Sequence, residues 1–210
     1  MKHIVLLGDS IFDNKSYVDG GLDVISHLRQ QIPDSWRVSL SAVDGSLVEN
    51  VGEQVLALPG DATHLFVSVG GNDALLNADV LQLQVSSSAE VFDRLADLAS
   101  AFEHHYRDML RAILSLNKPT TVCTIYYPRM RERFVQKIAV TALSTFNDVI
   151  IKQAILAGVP LIDLRLVCNE DSDYANEIEP SEAGGKKIAK TILRVVNEHH
   201  FEVRRTEAYF

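Results

Sequence analysis

Short apolar segments alternate with stretches of helical periodicity along nearly the whole chain, and this alternation constrains the fold more than any other feature. Five segments, rich in leucine or β-branched residues and ended by Gly, Asp, Pro or Ser, cover residues 3–7, 37–40, 64–69, 121–125 and 160–163. Apolar residues at helical spacing lie between them. Each right-handed crossover between such strands returns the chain to the same end of a sheet. The sequence therefore predicts an α/β domain with a five-stranded parallel sheet.

The length of 210 residues is typical of one large domain. No internal repeat and no Pro/Gly/Ser-rich linker divides the chain, and a composition of 47% hydrophobic and 23% charged residues excludes a disordered protein. We therefore expect a single domain over residues 1–203. Residues 204–210 are predicted to be a C-terminal tail that frays, unless Tyr209 and Phe210 dock on a partner subunit.

The formal net charge of −8 opposes non-specific binding to nucleic acid or to an anionic membrane, which leaves small molecules or proteins as partners. The first apolar segment ends at Gly8, too soon for a signal peptide or a membrane span. We therefore expect a cytoplasmic protein.

Two cysteines are too few for a four-ligand zinc site, and no nucleotide-binding glycine pattern follows the first strand. The sequence predicts neither a metal nor a cofactor.

Three residues that follow successive predicted strands could belong to one catalytic site. Ligands of open parallel sheets bind beside the carboxyl ends of the strands. Ser10 follows the first strand in a tight turn that would expose its hydroxyl. Gly45 could present a backbone N–H, and Asn72 could donate from its side-chain amide. Each feature alone is more typical of a turn. Together they supply a nucleophile and converging hydrogen-bond donors, as acyl transfer requires.

With these motifs, the sequence resembles the SGNH (GDSL-type) hydrolase family. The resemblance rests on Gly8-Asp9-Ser10, Gly45, Gly70-x-Asn72-Asp73 and the closing segment 176–181 with Gly184. It implies a three-layer, flavodoxin-like α/β/α domain that hydrolyses small-molecule ester or acyl substrates. It also implies that Ser10 is the nucleophile, with an oxyanion hole formed by the N–H groups of Ser10 and Gly45 and the side chain of Asn72.

The family's usual acid and base are both replaced in this chain. Members usually close with Asp-x-x-His-Pro, where His is the base and Asp orients it, but the corresponding residues here are Asn176 and Glu179. One interpretation is an inactive domain that binds a small ligand or a partner protein. The other is an active esterase in which Glu179 is the base, with a pKa between about 4.3 and 6, oriented by an amide hydrogen bond from Asn176.

Four further residues near the predicted crevice are candidate substrate contacts. Asp9 and Asp73 adjoin the candidate catalytic residues, and Tyr127, together with Tyr126, could form a wall of the pocket. Arg129 could bind a carboxylate or phosphate group of the substrate. It belongs to the basic cluster Arg129, Arg131, Arg133 and Lys137. The alternatives are core packing for the tyrosines and, for the arginines, pairing with neighbouring acids in a loop or lid.

Overall fold

The computed structural model describes all 210 residues and contains one six-stranded sheet. Its strands are β1 (His3–Gly8), β2 (Arg37–Leu40), β3 (His64–Ser68), β4 (Thr120–Cys123), β5 (Leu161–Ile162) and β6 (Ala208–Tyr209). Their order is β2-β1-β3-β4-β5-β6, and all neighbouring strands are parallel. The five predicted strands are all present. β1, β3, β4 and β5 are buried throughout, as is typical of central parallel strands.

The C-terminal segment forms the sixth strand, which the sequence analysis did not predict. β6 pairs with β5 and places Tyr209 opposite Ile162. Tyr209 is buried. Upstream of the strand, the guanidinium of Arg204 donates hydrogen bonds to the carbonyl oxygens of Leu156 and Ala157. The segment therefore docks on the chain's own sheet, so the prediction of a fraying tail was wrong.

The chain forms seven α-helices, five of which pack on the faces of the sheet. The seven are α1 (Val24–Gln31), α2 (Val51–Leu56), α3 (Gly71–Leu76), α4 (Ser88–Leu114), α5 (Arg133–Ala157), α6 (Leu164–Val167) and α7 (Glu182–Glu198). α1 and α7 pack over one face, where Leu28 and Ile188 belong to one buried core. α2, α4 and α5 cover the other face, where Phe102 and Ile150 belong to a second core. This arrangement confirms the predicted α/β/α layers.

Strand β1 contributes to both cores, because successive side chains of a strand point to opposite faces of the sheet. Ile4 and Leu6 lie in the core under α1 and α7, whereas Val5 lies in the core under α2, α4 and α5. Gly8 ends the strand with φ at +119°, and a Cβ there would lie 1.8 Å from the carbonyl oxygen of Ser68. Only glycine allows β1 and β3 to approach so closely at this point.

The strand order reverses at β1, which lies between β2 on one side and β3 on the other. The crevice at the carboxyl ends of β1 and β3 is the position where open parallel sheets bind ligands. Ser10 lies two residues beyond β1. The segment after β3, whose residues taken alone are more typical of a turn, begins helix α3 at Gly71.

Helix α5 is long and apolar enough, by length and composition, to cross a membrane. The sequence analysis did not expect such a helix. Its C-terminal part packs into the core through Phe146, Val149, Ile150 and Ala154. Its N-terminal part contributes to the wall of a cavity. These contacts account for part of its apolar composition, since Ile155 and Leu156 at its C-terminal end are exposed.

Candidate active site

Ser10 and Glu179 meet at the carboxyl end of β1. The Ser10 hydroxyl donates a hydrogen bond of 3.1 Å to Oε1 of Glu179, and both residues are only 6% exposed. The second carboxylate oxygen, Oε2, is buried without a hydrogen-bond partner. Burial raises the pKa of Glu179 to about 7, against the lowering effect of the Ser10 hydrogen bond, and the negative charge of Asp44 raises it further. A carboxyl group that titrates near neutral pH has the acidity suited to a general base.

Asn176 supports the backbone of Glu179 and does not contact its carboxylate. Its Oδ1 accepts hydrogen bonds from the N–H groups of Ile178 and Glu179, both at 2.9 Å. This is the local turn geometry that asparagine commonly adopts. The predicted amide hydrogen bond from Asn176 to the Glu179 carboxylate is therefore wrong. Since no such donor lowers the pKa, the value for Glu179 lies above the expected range.

Asn14 and Tyr126 hold the peptide on either side of Glu179, a role that the sequence analysis predicted for neither residue. Asn14 is completely buried, donates from Nδ2 to the carbonyl oxygen of Pro180 at 3.2 Å, and accepts the first N–H of α1. The hydroxyl of Tyr126 donates to the carbonyl oxygen of Ile178. These contacts join residues far apart in sequence, and no local pattern could have revealed them.

The candidate oxyanion donors each have an amide hydrogen that no protein atom accepts. Asn72 lines the same cavity as Ser10, and one hydrogen of its amide is donated to the carbonyl oxygen of Ser46 at 3.0 Å. The second amide hydrogen has no protein acceptor. The N–H groups of Ser10 and Gly45 also donate to no protein atom. Gly45 adopts φ of +80° in an exposed turn beside Ser46 and does not line the cavity.

Asp9 is buried beside the nucleophile candidate and lines the cavity, as expected for a group near the substrate. Its Oδ1 accepts the N–H of Ile11 at 3.1 Å, which shapes the turn that carries Ser10. Burial raises the pKa of Asp9 to about 8, and the negative charges of Glu179 and Asp73 contribute to the rise. Asp9 is therefore mostly protonated at neutral pH, which keeps a second negative charge out of the site.

Asp73 and Tyr127 do not line the cavity, which corrects the prediction that they contact substrate. Asp73 Oδ2 accepts the N–H of Val48 at 3.2 Å. The Tyr127 ring lies beneath the guanidinium of Arg165, with 6.0 Å between the guanidinium carbon and the ring centroid. Of the two tyrosines expected at the pocket wall, only Tyr126 lines the cavity.

Arg129 also lies outside the cavity wall. It donates to the carbonyl oxygen of Asn169 at 2.5 Å, and its Nε lies 3.3 Å from Asp171. Nearby, Arg131 pairs with Glu177 at 3.8 Å. The arginines therefore pair with acidic residues of a neighbouring loop, which was the alternative to the predicted substrate contact.

An apolar cavity of about 420 Å³ adjoins the Ser10–Glu179 pair, and 20 of its 29 lining residues are hydrophobic. Its apolar lining includes Leu75, Leu95, Leu98, Phe134, Ile138 and Phe146 from α3, α4 and α5. Pockets of this volume and character bind small molecules. No group of three or more His, Cys, Asp or Glu side chains is arranged to hold a metal ion. The site therefore combines a serine–carboxylate pair with space for an apolar group.

Comparison with solved structures identifies the same architecture in lipolytic enzymes. A phospholipase A1 from Streptomyces albidoflavus NA297 is 19% identical, with a TM-score of 0.64 over 95% of this chain and 99% of that one. A lipase/acylhydrolase from Enterococcus faecalis is 17% identical, with a TM-score of 0.66 over 93% and 95% of the two chains. A lipolytic G-D-S-L family protein from Veillonella parvula DSM 2008 is 15% identical, with a TM-score of 0.69 over 95% and 100%. These likenesses show a shared fold.

Comparison at the level of sequence identifies the family. No curated protein matches the chain in sequence. The model of the GDSL-like Lipase/Acylhydrolase family matches residues 6–187, which include Ser10, Gly45, Asn72 and Glu179. The chain therefore belongs to the GDSL-like lipase/acylhydrolase family of hydrolases.

Proposed function

We propose that this protein is a serine carboxyl-ester hydrolase that acts on small-molecule esters with an apolar acyl group. The observation that carries the proposal is the hydrogen bond from Ser10 to Glu179, a carboxyl group with a pKa of about 7. At neutral pH a carboxylate with this pKa can accept the proton of the serine hydroxyl that is hydrogen-bonded to it. Membership of a lipase and acylhydrolase family supports the reaction class.

In the first half of the reaction, Ser10 Oγ bonds to the ester carbonyl carbon while its proton passes to Oε1 of Glu179. The tetrahedral intermediate then collapses, the bond to the alcohol oxygen breaks, and Glu179 returns the proton to that oxygen. In the second half, Glu179 takes a proton from water, which attacks the acyl group on Ser10. The proton then returns to Ser10 Oγ as the carboxylic acid leaves.

The oxyanion that forms in each half is stabilised by the free hydrogen of the Asn72 amide and by the N–H groups of Ser10 and Gly45. A neutral glutamic acid replaces the imidazolium of a histidine-based enzyme after proton transfer, so the oxyanion lacks a positive countercharge. These donors must therefore supply more of the stabilisation. We expect slow turnover on esters and none on amides.

The apolar cavity adjoining Ser10 is the proposed site of the acyl chain. Each methylene that it buries contributes about 0.8 kcal/mol, which corresponds to about a fourfold gain in kcat/KM. We therefore expect kcat/KM to rise with the length of the acyl chain in a series of p-nitrophenyl esters, from acetate to decanoate, until the cavity is filled. Ser10→Ala should abolish turnover of every ester in the series.

A matched pair of variants in α5 tests the location of the acyl chain. Ala142 lines the cavity, whereas Ser144 lies on the exposed side of the same helix. Ala142→Trp should reduce kcat/KM for decanoate at least tenfold and leave acetate nearly unchanged, and Ser144→Trp should alter neither. If no ester is hydrolysed in a Ser10-dependent manner, but apolar acids still bind and Ala142→Trp weakens that binding, the chain is a ligand-binding domain.

A further inference from the structure

Away from the Ser10–Glu179 site, Ser39, His3 and Asp61 are joined by hydrogen bonds near the opposite end of the sheet. His3 Nδ1 lies 2.9 Å from Oδ1 of Asp61, and His3 Nε2 lies 2.8 Å from Oγ of Ser39. Hydrogen bonds from His3 and Arg37 lower the pKa of Asp61, so this group is an ionised acceptor. The geometry therefore assigns Nδ1 of His3 as the donor to Asp61 and Nε2 as the acceptor of the Ser39 hydroxyl. This is the hydrogen-bond order and tautomer of a serine-hydrolase triad.

The Ser39–His3–Asp61 group opens onto a cavity of about 530 Å³ that is distinct from the cavity beside Ser10. His3 is only 4% exposed, whereas Ser39 is half-buried on the edge strand β2 and can be reached from the cavity. His3 begins β1, and Ser10 follows the end of that strand. Ser39 pairs with Val5, three residues before the end of β1, so at a rise of about 3.3 Å per residue it lies about 10 Å from the carboxyl end of the strand. The two serines cannot serve one reaction centre.

The charges around this cavity indicate the kind of substrate. Arg29 and Arg37 both line it, together with one further acid, Asp34. Arg37 is engaged with Asp61 at 2.7 Å, whereas the only acceptor of the Arg29 guanidinium is the Val38 carbonyl oxygen at 3.5 Å. The Arg29 guanidinium therefore has donors left to bind a carboxylate.

We propose that Ser39 is a second activated nucleophile, with His3 as its base and Asp61 as its orienting acid, which takes acyl groups from small esters that carry a carboxylate. Ser39 Oγ bonds to the carbonyl carbon as its proton moves to His3 Nε2. The bond to the alcohol oxygen breaks, and that oxygen receives the proton from Nε2. Water then releases the acyl group by the same proton path, and the serine hydroxyl is restored.

The test uses the full chain with Ser10→Ala, so that the outcome does not depend on the function proposed for Ser10. The protein is incubated with a fluorophosphonate, and the labelled peptide is identified by mass spectrometry. We expect label on Ser39, with a labelling rate at least tenfold lower after His3→Gln or Asp61→Asn is added. Ser41→Ala, which removes a half-buried hydroxyl two residues further along, should leave that rate unchanged.

Thermal unfolding of each variant shows whether it is folded, since the same hydrogen bonds also tie β2 to β1. A folded Ser10→Ala protein without label on Ser39 would overturn the proposal and leave the group with a structural role alone. Label that persists in a folded His3→Gln variant would overturn the assignment of the base.

The substrate class is tested with two esters that share the leaving group p-nitrophenol. They are neutral p-nitrophenyl acetate and anionic mono-p-nitrophenyl succinate. In the Ser10→Ala protein, the Ser39-dependent release of p-nitrophenol should favour the succinate, and Arg29→Gln should reduce that preference at least fivefold. A preference for the acetate, or one that Arg29→Gln does not change, would contradict the assignment of anionic esters.

Discussion

Ser10 and Glu179, 169 positions apart in the sequence, are joined by a hydrogen bond of 3.1 Å at the carboxyl end of β1. The turn after β1 supplies the hydroxyl, and the loop before α7 supplies the carboxylate. Asn14 and Asn176 fix the backbone of that loop. A carboxyl group with a pKa of about 7 therefore accepts the hydrogen bond of the Ser10 hydroxyl.

Removal of the Glu179 charge should abolish proton transfer from Ser10. A positioned general base contributes about 10²- to 10⁴-fold to rate, so Glu179→Gln should lower kcat by at least about 100-fold. Steady-state hydrolysis of p-nitrophenyl esters measures this loss. Glu177→Gln, which changes an exposed glutamate two positions away, is the control and should keep nearly full activity. Equal activity in the Glu179→Gln variant would mean that another group accepts the proton.

Asn176 should be replaceable by aspartate but not by alanine. Asn176→Ala removes an acceptor from two backbone N–H groups, which should lower the free energy of unfolding by about 1–2 kcal/mol. It should also lower kcat about tenfold or more, because the loop no longer holds Glu179 in place. Asp at this position accepts the same bonds, so Asn176→Asp should retain stability. Urea unfolding and kcat of the two variants check this, and equal losses in both would contradict the acceptor role.

Asp9 should make the folded protein less stable as pH rises. The pKa of Asp9 is raised from 3.8 to about 8 in the folded state, so between these values the folded protein retains a proton that the unfolded chain releases. Its contribution to stability is present below pH 3.8 and is lost as pH rises through 8. Asp9→Asn should therefore reduce the fall in unfolding free energy between pH 5 and 8, as measured by urea unfolding.

The control for this prediction is Asp19→Asn, which replaces an exposed aspartate. It should leave the pH dependence of unfolding as steep as in the unmodified protein. Glu179, with a raised pKa of about 7, contributes to the slope in the same direction and remains in both variants. Identical slopes for Asp9→Asn and the unmodified protein would show that Asp9 is not held protonated.

The sequence predicts those strands of the sheet whose own residues form a recognisable apolar pattern. Buried parallel strands such as β1 and β3 read as continuous apolar runs with clear ends. β6 has only two residues, Ala208 and Tyr209, which are too few to show any periodicity. Its position depends on hydrogen bonds to β5 and on the anchoring of Arg204, both of which join distant parts of the chain.

At the site, sequence reasoning found the residues that follow strands but not the direction of their side chains. A difference of one position decided which tyrosine lines the cavity, since Tyr126 does and Tyr127 does not. Asparagine can both donate and accept, and its residue type does not reveal which role it takes, so Asn176 was assigned the wrong one. The acid that pairs with Arg129, Asp171, comes from another loop, which no local pattern shows.

The central claim, that Glu179 activates Ser10, is tested most directly by the pH dependence of fluorophosphonate labelling at Ser10, followed by mass spectrometry. Because the base must be ionised, the labelling rate of the unmodified protein should rise with pH through a single ionisation at about 7 and then level off. In Glu179→Gln the rate should be at least about 100-fold lower and show no ionisation near 7. A rate in Glu179→Gln that still rises through pH 7, or labelling of the unmodified protein that is constant from pH 5 to 9, would contradict the claim.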